Sequence, residues 1–208
     1  MAITSSSPAV AARCANVRAG VGVASSQNVT DPRLGPQLLD ELAKGAPADA
    51  ALKTIAAAAP HAAHRQLAVV DAQGRSAAWS GDRALGVHGT RTGDGWAAAG
   101  NLLASESVLD ALGAAFTEST GELEARLIAA LQAGLDAGGE AGPLRSAGLL
   151  VADAVEWPVT DLRVDHATDP IAELERLWDI WAPQRDDYVT RALDPESAPG
   201  YGVPGDAQ

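Results

Sequence analysis

Apolar residues recur along the chain at two distinct spacings. Leu34, Leu38, Leu39 and Leu42 repeat at the three-to-four-residue interval of one helix face, and Gly45 ends the stretch. Asp31-Pro32 ahead of them reads as an N-cap followed by proline at the first helical position. A second helix starts at Pro47, turns Leu52, Ile55 and Ala59 inward, and stops at Pro60. The period then shortens. Arg65 to Asp71 is a short apolar strand, Ala72 to Arg75 is a turn with Gly74 where positive φ is wanted, and Ser76 to Gly81 returns as the second arm of a hairpin. Residues 82–95, rich in Gly, Asp and Thr, read as a loop, and Trp96 to Asn101 as a further strand.

Ser105 caps a helix expected over 106–117. Ser119 and Glu122 have capping-box spacing for a second helix carrying Leu123, Leu127, Ala130, Leu131 and Leu135, closed by Gly138-Gly139. Ser146 to Ala152 and Thr160 to Asp165 read as strands. A last helix starts at Asp169-Pro170 with Ile171, Leu174, Leu177, Trp178 and Trp181 apolar. Ala2 to Cys14 reads as the end of an apolar strand running into the polar turn Ser5-Ser6-Ser7-Pro8. Strands grouped with strands, and helices in pairs, predict an α+β chain of antiparallel sheets covered by helical layers, not a doubly wound parallel sheet. The expected organisation is one domain over 1–182 and a Pro/Gly-rich C-terminal tail over 183–208.

Composition narrows the functional classes. The chain has 208 residues, 47% of them hydrophobic, enough to bury a core. Net charge is −12, which argues against a nucleic-acid surface. Cys14 is the only cysteine, so there is no internal disulfide and no cysteine-based metal site. No apolar run approaches the roughly 18 residues of a membrane helix, and the first residues lack the pattern of a secretory signal. The expectation is a cytoplasmic protein with no membrane or nucleic-acid partner.

Several polar residues are candidates for chemistry. Ser5, Ser6 and Ser7 either line a pocket at a strand end or cap their own turn. Gln27 and Asn28 stand before a helix start, suited to a substrate carboxylate or to a loop cap. Asn101 ends a strand after Gly100, where the backbone can approach a ligand closely, and is a candidate oxyanion or ligand contact. Arg65 can clamp a carboxylate bidentately, or pair with Asp71 or Asp165. His61, His64, His88 and His166 lack metal-ligand spacing beyond the first pair, so no metal and no cofactor is expected.

Four segments carry a resemblance. Ala2 to Cys14 with Arg18 to Pro32, the hairpin Arg65 to Arg75 ending near Trp79-Ser80-Gly81, His88 to Ala104, and Asp161 to Ile171 resemble, in the same order, domain-of-unknown-function family 1028. This is an uncharacterised bacterial family with an Ntn-hydrolase-like fold. The resemblance spans about residues 2–180 and implies a four-layer αββα sandwich. In that superfamily an N-terminal Thr, Ser or Cys attacks an amide carbonyl and its own α-amine serves as base.

Family members begin with Thr after the initiator Met, followed by a strand and a turn. Here Ala2 follows Met1. The expectation is a chain apparently lacking its first strand, either because Met1 is internal to a longer reading frame or because this member is truncated. The edge so left is expected to be paired across a homodimer, covered by the tail, or open. By the resemblance, Ser5, Ser6 and Asn101 fall at the catalytic end of one cleft and Gln27, Asn28 and Arg65 at substrate-binding positions. The expected function is hydrolysis of an amide bond in a small molecule or short peptide. The alternative is a non-catalytic small-molecule binding protein on the same scaffold.

Overall fold

A computed structural model describes residues 1–206. Among these residues nine strands and seven α-helices form a mixed α+β structure, and every strand pair is antiparallel. β1 (Ala2–Ser5), β8 (Ser146–Ala152) and β9 (Pro158–Val164) make a sheet in the order β1-β8-β9. β2 (Ala15–Arg18), β3 (Gly22–Gln27), β4 (Gln66–Asp71) and β5 (Ser76–Ser80) make a second sheet in chain order. β6 (Val87–Gly93) and β7 (Trp96–Leu103) form a separate hairpin.

The helices bury their leucine faces on these sheets. α2 (Leu34–Ala43) and α3 (Ala48–Ala58) set Leu38, Leu39, Leu42, Leu52 and Ile55 against Ala24, Leu67 and Val69 of the four-stranded sheet. α5 (Leu123–Asp136) and α6 (Pro170–Trp181) set Ile128, Leu131, Ile171, Leu174 and Trp178 against Ala147, Leu149, Val151 and Val164. α4 (Ser107–Glu118) places Val108 and Leu109 on Leu103 of β7. The short α1 (Ala11–Cys14) fills the space beside Ile3 of β1. A fully buried Leu contributes about 1.5–3 kcal/mol, so these leucine faces supply the main cohesion between helices and sheets. No helix among the described residues is long and apolar enough to cross a membrane.

The hairpin at 66–80 and the strands at 96, 146 and 158 follow the expected pattern. Asp169 caps α6 by accepting from the Ala172 N–H at 3.2 Å, with Pro170 in the first position. Five local expectations change. Asp31 is not the N-cap of α2. Its carboxylate accepts from Arg33 N–H at 3.1 Å in a turn that precedes the helix. Ser119 and Glu122 form no capping box, because Gly121 at φ 99° delays the helix until Leu123, and Ser119 instead donates to Phe116 O at 3.0 Å. Residues 15–18 and 22–27, for which no element was expected, form β2 and β3. Residues 87–93, expected as loop, form β6. Residues 185–193, expected within a tail, form α7 (Arg185–Leu193).

α7 is held by side chains rather than by its own composition. Tyr188 stacks on Trp181 with ring centroids 5.1 Å apart, and the Arg191 guanidinium lies 4.9 Å over Tyr188 and 4.2 Å over Tyr201. Arg185 reaches the buried Glu124 at 3.1 Å, and Glu124 also accepts from Thr160 Oγ1 at 2.8 Å.

Candidate functional site

A cavity of about 400 Å³ opens between the four-stranded sheet, the β6–β7 hairpin, β1 and the helices α4 and α5. Its walls are mostly apolar. β3 contributes alternate residues, Val23, Ser25 and Gln27, so it presents a face. β1 and β7 contribute consecutive residues, Met1–Thr4 and Gly95–Asn101. β4 also lines it with consecutive residues, Ala68–Val70, but is laddered on both sides by β3 and β5. β1 pairs only with β8 and β7 only with β6 among the named strands, so each has one edge without a ladder.

Both edges end at the same place. Ser6 N–H donates to both oxygens of Glu140 at 3.2 Å, and Glu140 is bridged to Leu103. The C-terminal ends of β1 and β7 therefore meet at Glu140, and the two strands run in the same direction. Gln66 lies fully buried near this end. Its Nε2 donates to Gly100 O at 2.8 Å and Ser80 Oγ at 3.0 Å, and its Oε1 accepts from Asn101 Nδ2 at 3.0 Å. Gln27 is its register partner across β3–β4. Gln66 thus pins the β6–β7 hairpin to the four-stranded sheet at one end, while Ser76 Oγ bonds Gly93 O at 2.8 Å at the other.

The expected residues distribute as follows. Gln27 and Asn101 line the cavity. Ser5 and Ser6 stand just beyond it, at the end of β1. The Ser5 hydroxyl accepts from Ser7 N–H at 3.1 Å and shares a hydrogen bond with Ser7 Oγ at 2.9 Å. Asn28 lies outside the cavity, donating Nδ2 to His64 O at 2.7 Å and accepting from Leu85 N–H at 3.3 Å. Arg65 also lies outside it, immediately before β4, with the parity of Leu67 and Val69 and so on the helix-covered face. The ion pairs considered for Arg65 do not form: Asp71 binds Arg75 Nε at 2.6 Å, and Asp165 binds Arg163 at 3.1 Å. The Arg65 Nε and Nη1 are buried with no hydrogen-bond partner among the described residues.

Charge and strain concentrate at this end. Hydrogen bonds from the Arg33 guanidinium hold the Asp31 carboxyl down at about 2, with a smaller contribution from the Arg65 charge. Asn28, Val29 and Leu102 adopt left-handed backbone at φ 55°, 47° and 53°. For a β-branched residue such as Val29 this conformation is strained and persists only where the surroundings impose it. Burial raises the Cys14 thiol, which sits 3.3 Å from Thr30 Oγ1, so it is a packed side chain rather than a nucleophile. No group of three or more His, Cys, Asp or Glu able to hold a metal is found among the described residues.

Gln66 and Glu140 escaped the sequence reading. The signal for Gln66 was one amide at the head of the buried run Leu67–Val70. For Glu140 it was a lone acid inside the glycine-rich stretch 138–142.

None of the curated proteins compared with the chain matches it. The crystal structure of protein SPO2555 from Silicibacter pomeroyi, a member of the same family model, superposes with a TM-score of 0.82 at 30% identity, covering 89% of this chain and 86% of that one. The model of the family of unknown function DUF1028 matches residues 1–174, and the chain belongs to that family.

Proposed function

We propose that this chain is a four-layer αββα sandwich of the Ntn-hydrolase type, and that its cavity end is the site of amide-bond hydrolysis in a small molecule or short peptide. The layer reading follows the packing: α2 and α3, the four-stranded sheet, the β1-β8-β9 and β6–β7 strands, then α4, α5 and α6. The observation that carries the functional reading is the pair of unladdered edges along one apolar cavity. A single strand inserted there, antiparallel to both β1 and β7, would join them into one sheet. It would begin at the Glu140 end, beside Ser5, Ser6, Asn101 and Gln27. A Thr heading that strand places its hydroxyl and α-amine there, where Asn101 Nδ2, with one N–H on Gln66 Oε1, has its second N–H for a developing oxyanion.

The alternative is a binding protein without turnover. It is favoured by the state of Ser5, whose hydroxyl is engaged in its own turn and has no basic side chain as partner among the described residues. One experiment separates the two readings. A strand of alternating apolar residues beginning with Thr is fused ahead of Met1 through a tight turn. Release of amine from N-acyl amino acids is then compared with that of the unfused chain. Turnover only in the fusion, abolished by changing its leading Thr to Ala, is the hydrolase outcome. Ligand binding without turnover in either form supports the binding protein. Turnover by the unfused chain that survives Ser5→Ala and Ser6→Ala refutes the N-terminal-nucleophile mechanism.

A further inference from the structure

We infer that the cavity takes the amino terminus of an extended apolar peptide, with its α-ammonium held on the Glu140 carboxylate and its backbone laid between the unladdered edges of β1 and β7. This rests on the proposed location of the site and names the class of molecule that enters it.

Glu140 carries the only ionisable side chain among the described residues that line the cavity. The other walls are apolar, from Val23, Val69, Leu109, Leu112 and Leu131, or neutral, from Gln27 and Asn101. The carboxylate is partly buried and accepts Ser6 N–H on both oxygens at 3.2 Å. Among the described residues no Lys, Arg or His forms an ion pair with it. One shared N–H leaves most of a carboxylate's accepting capacity unused. A negative charge without a cation, at one end of an apolar cavity, matches a ligand with an ammonium head and an apolar body. An anion is repelled there, and a neutral ligand leaves the charge unanswered.

The strand edges add a backbone and a direction. Met1 and Leu150 exchange both backbone hydrogen bonds, at 2.6 and 2.8 Å. Such pairs alternate along an antiparallel ladder. Ile3 therefore turns its N–H and C=O to β8, while Ala2 and Thr4 turn theirs to the open edge. An extended peptide supplies those groups with partners, and a compact amine does not. β1 and β7 both end at Glu140. A peptide whose ammonium lies on Glu140 runs antiparallel to both, the direction taken by every strand pair among the described residues. Charge and edges thus select the same occupant in the same orientation.

The test uses the full chain and the hexapeptide amide Thr-Val-Ser-Val-Ser-Val, with its amino terminus either free or acetylated. Titration calorimetry should show a preference for the free amine of at least about tenfold. Glu140→Gln keeps an acceptor for Ser6 N–H, loses the charge, and should remove the preference. Glu140→Asp keeps the charge and serves if the glutamine variant does not fold; it should retain a preference for the free amine. Hydrogen exchange at Ala2 and Thr4 should slow when the peptide binds, and exchange at Ile3, already laddered to β8, should change less. Isobutylamine carries an ammonium and an apolar group without a backbone, and should bind at least about tenfold more weakly than the free peptide. Equal affinity for the two peptide forms, an unchanged preference in Glu140→Gln, a lost preference in Glu140→Asp, or unaltered exchange at Ala2 and Thr4 overturns the inference. Isobutylamine binding as tightly as the peptide overturns it too. Hydrolysis is read separately, as amine released from N-acyl amino acids while the Thr-headed peptide is bound. Tight binding without release leaves the inference standing and refutes the hydrolase reading. Release by the strand-fused chain, with equal affinity of the unfused chain for both peptide forms, overturns the inference and leaves the hydrolase reading intact.

Discussion

Replacing Gln66 with Leu tests how the cavity wall is held. The side chain is fully buried and spends its amide on Gly100 O, Ser80 Oγ and Asn101 Nδ2. Leucine is of similar volume, so the change leaves packing nearly intact and removes the hydrogen bonds. Gly100 O and Asn101 Nδ2 lose their partner, and each buried group so orphaned costs about 1–3 kcal/mol. Asn101 faces the cavity and regains part of its cost from water. Removing the Gln amide from the core returns roughly 1 kcal/mol more. The net expectation is a loss of about 2 kcal/mol. In urea, with a slope of about 2–3 kcal/mol per molar, the midpoint should fall by roughly 0.8 M at unchanged slope. Amide exchange should quicken in β7, from Trp96 to Asn101, more than in β3. A midpoint shift below about 0.2 M, or equal exchange in both strands, refutes the claim that Gln66 pins the hairpin.

Arg185→Met should destabilise the chain by about 3 kcal/mol, because it leaves Glu124 buried with only Thr160 as partner. Thermal unfolding reads the loss, and a companion Glu124→Leu change should restore most of it. The acid dependence of stability should include Asp31. Its carboxyl is held at about 2 when folded, below the ordinary value of 3.8, so its contribution is complete above pH 4 and disappears as pH falls towards 2. Unfolding free energies of the parent and Asp31→Asn chains should converge across that window; a constant difference from pH 6 to pH 2 refutes the assignment.

The helices that were legible carry their own punctuation. Asp169-Pro170 at α6 and Pro47 and Pro60 around α3 are local signals that the tertiary structure leaves in place. β6 and α7 were not legible because their stability is borrowed. β6 is mostly polar, and its hairpin is anchored to the four-stranded sheet by Gln66 and Ser76. α7 lies in polar sequence and is held by Trp181, Tyr201 and Glu124, which are distant along the chain or in another element. Gln27 and Asn101 could be read from their positions at strand ends. The faces on which Asn28 and Arg65 lie could not, since they depend on the register of β3 against β4.

The polar groups at the cavity end divide by whether the protein itself satisfies them. Asn28, Gln66 and Asn101 have protein partners, and Glu140 receives Ser6 N–H. Such groups stiffen the loops and strand ends, which is why Val29 and Leu102 can be kept in left-handed backbone. The outer edges of β1 and β7 are different: among the described residues their backbone groups have no ladder partner on that side. A fold that satisfies nearly all its buried polar groups leaves such exceptions where something else binds. The edges call for backbone, which an added strand supplies.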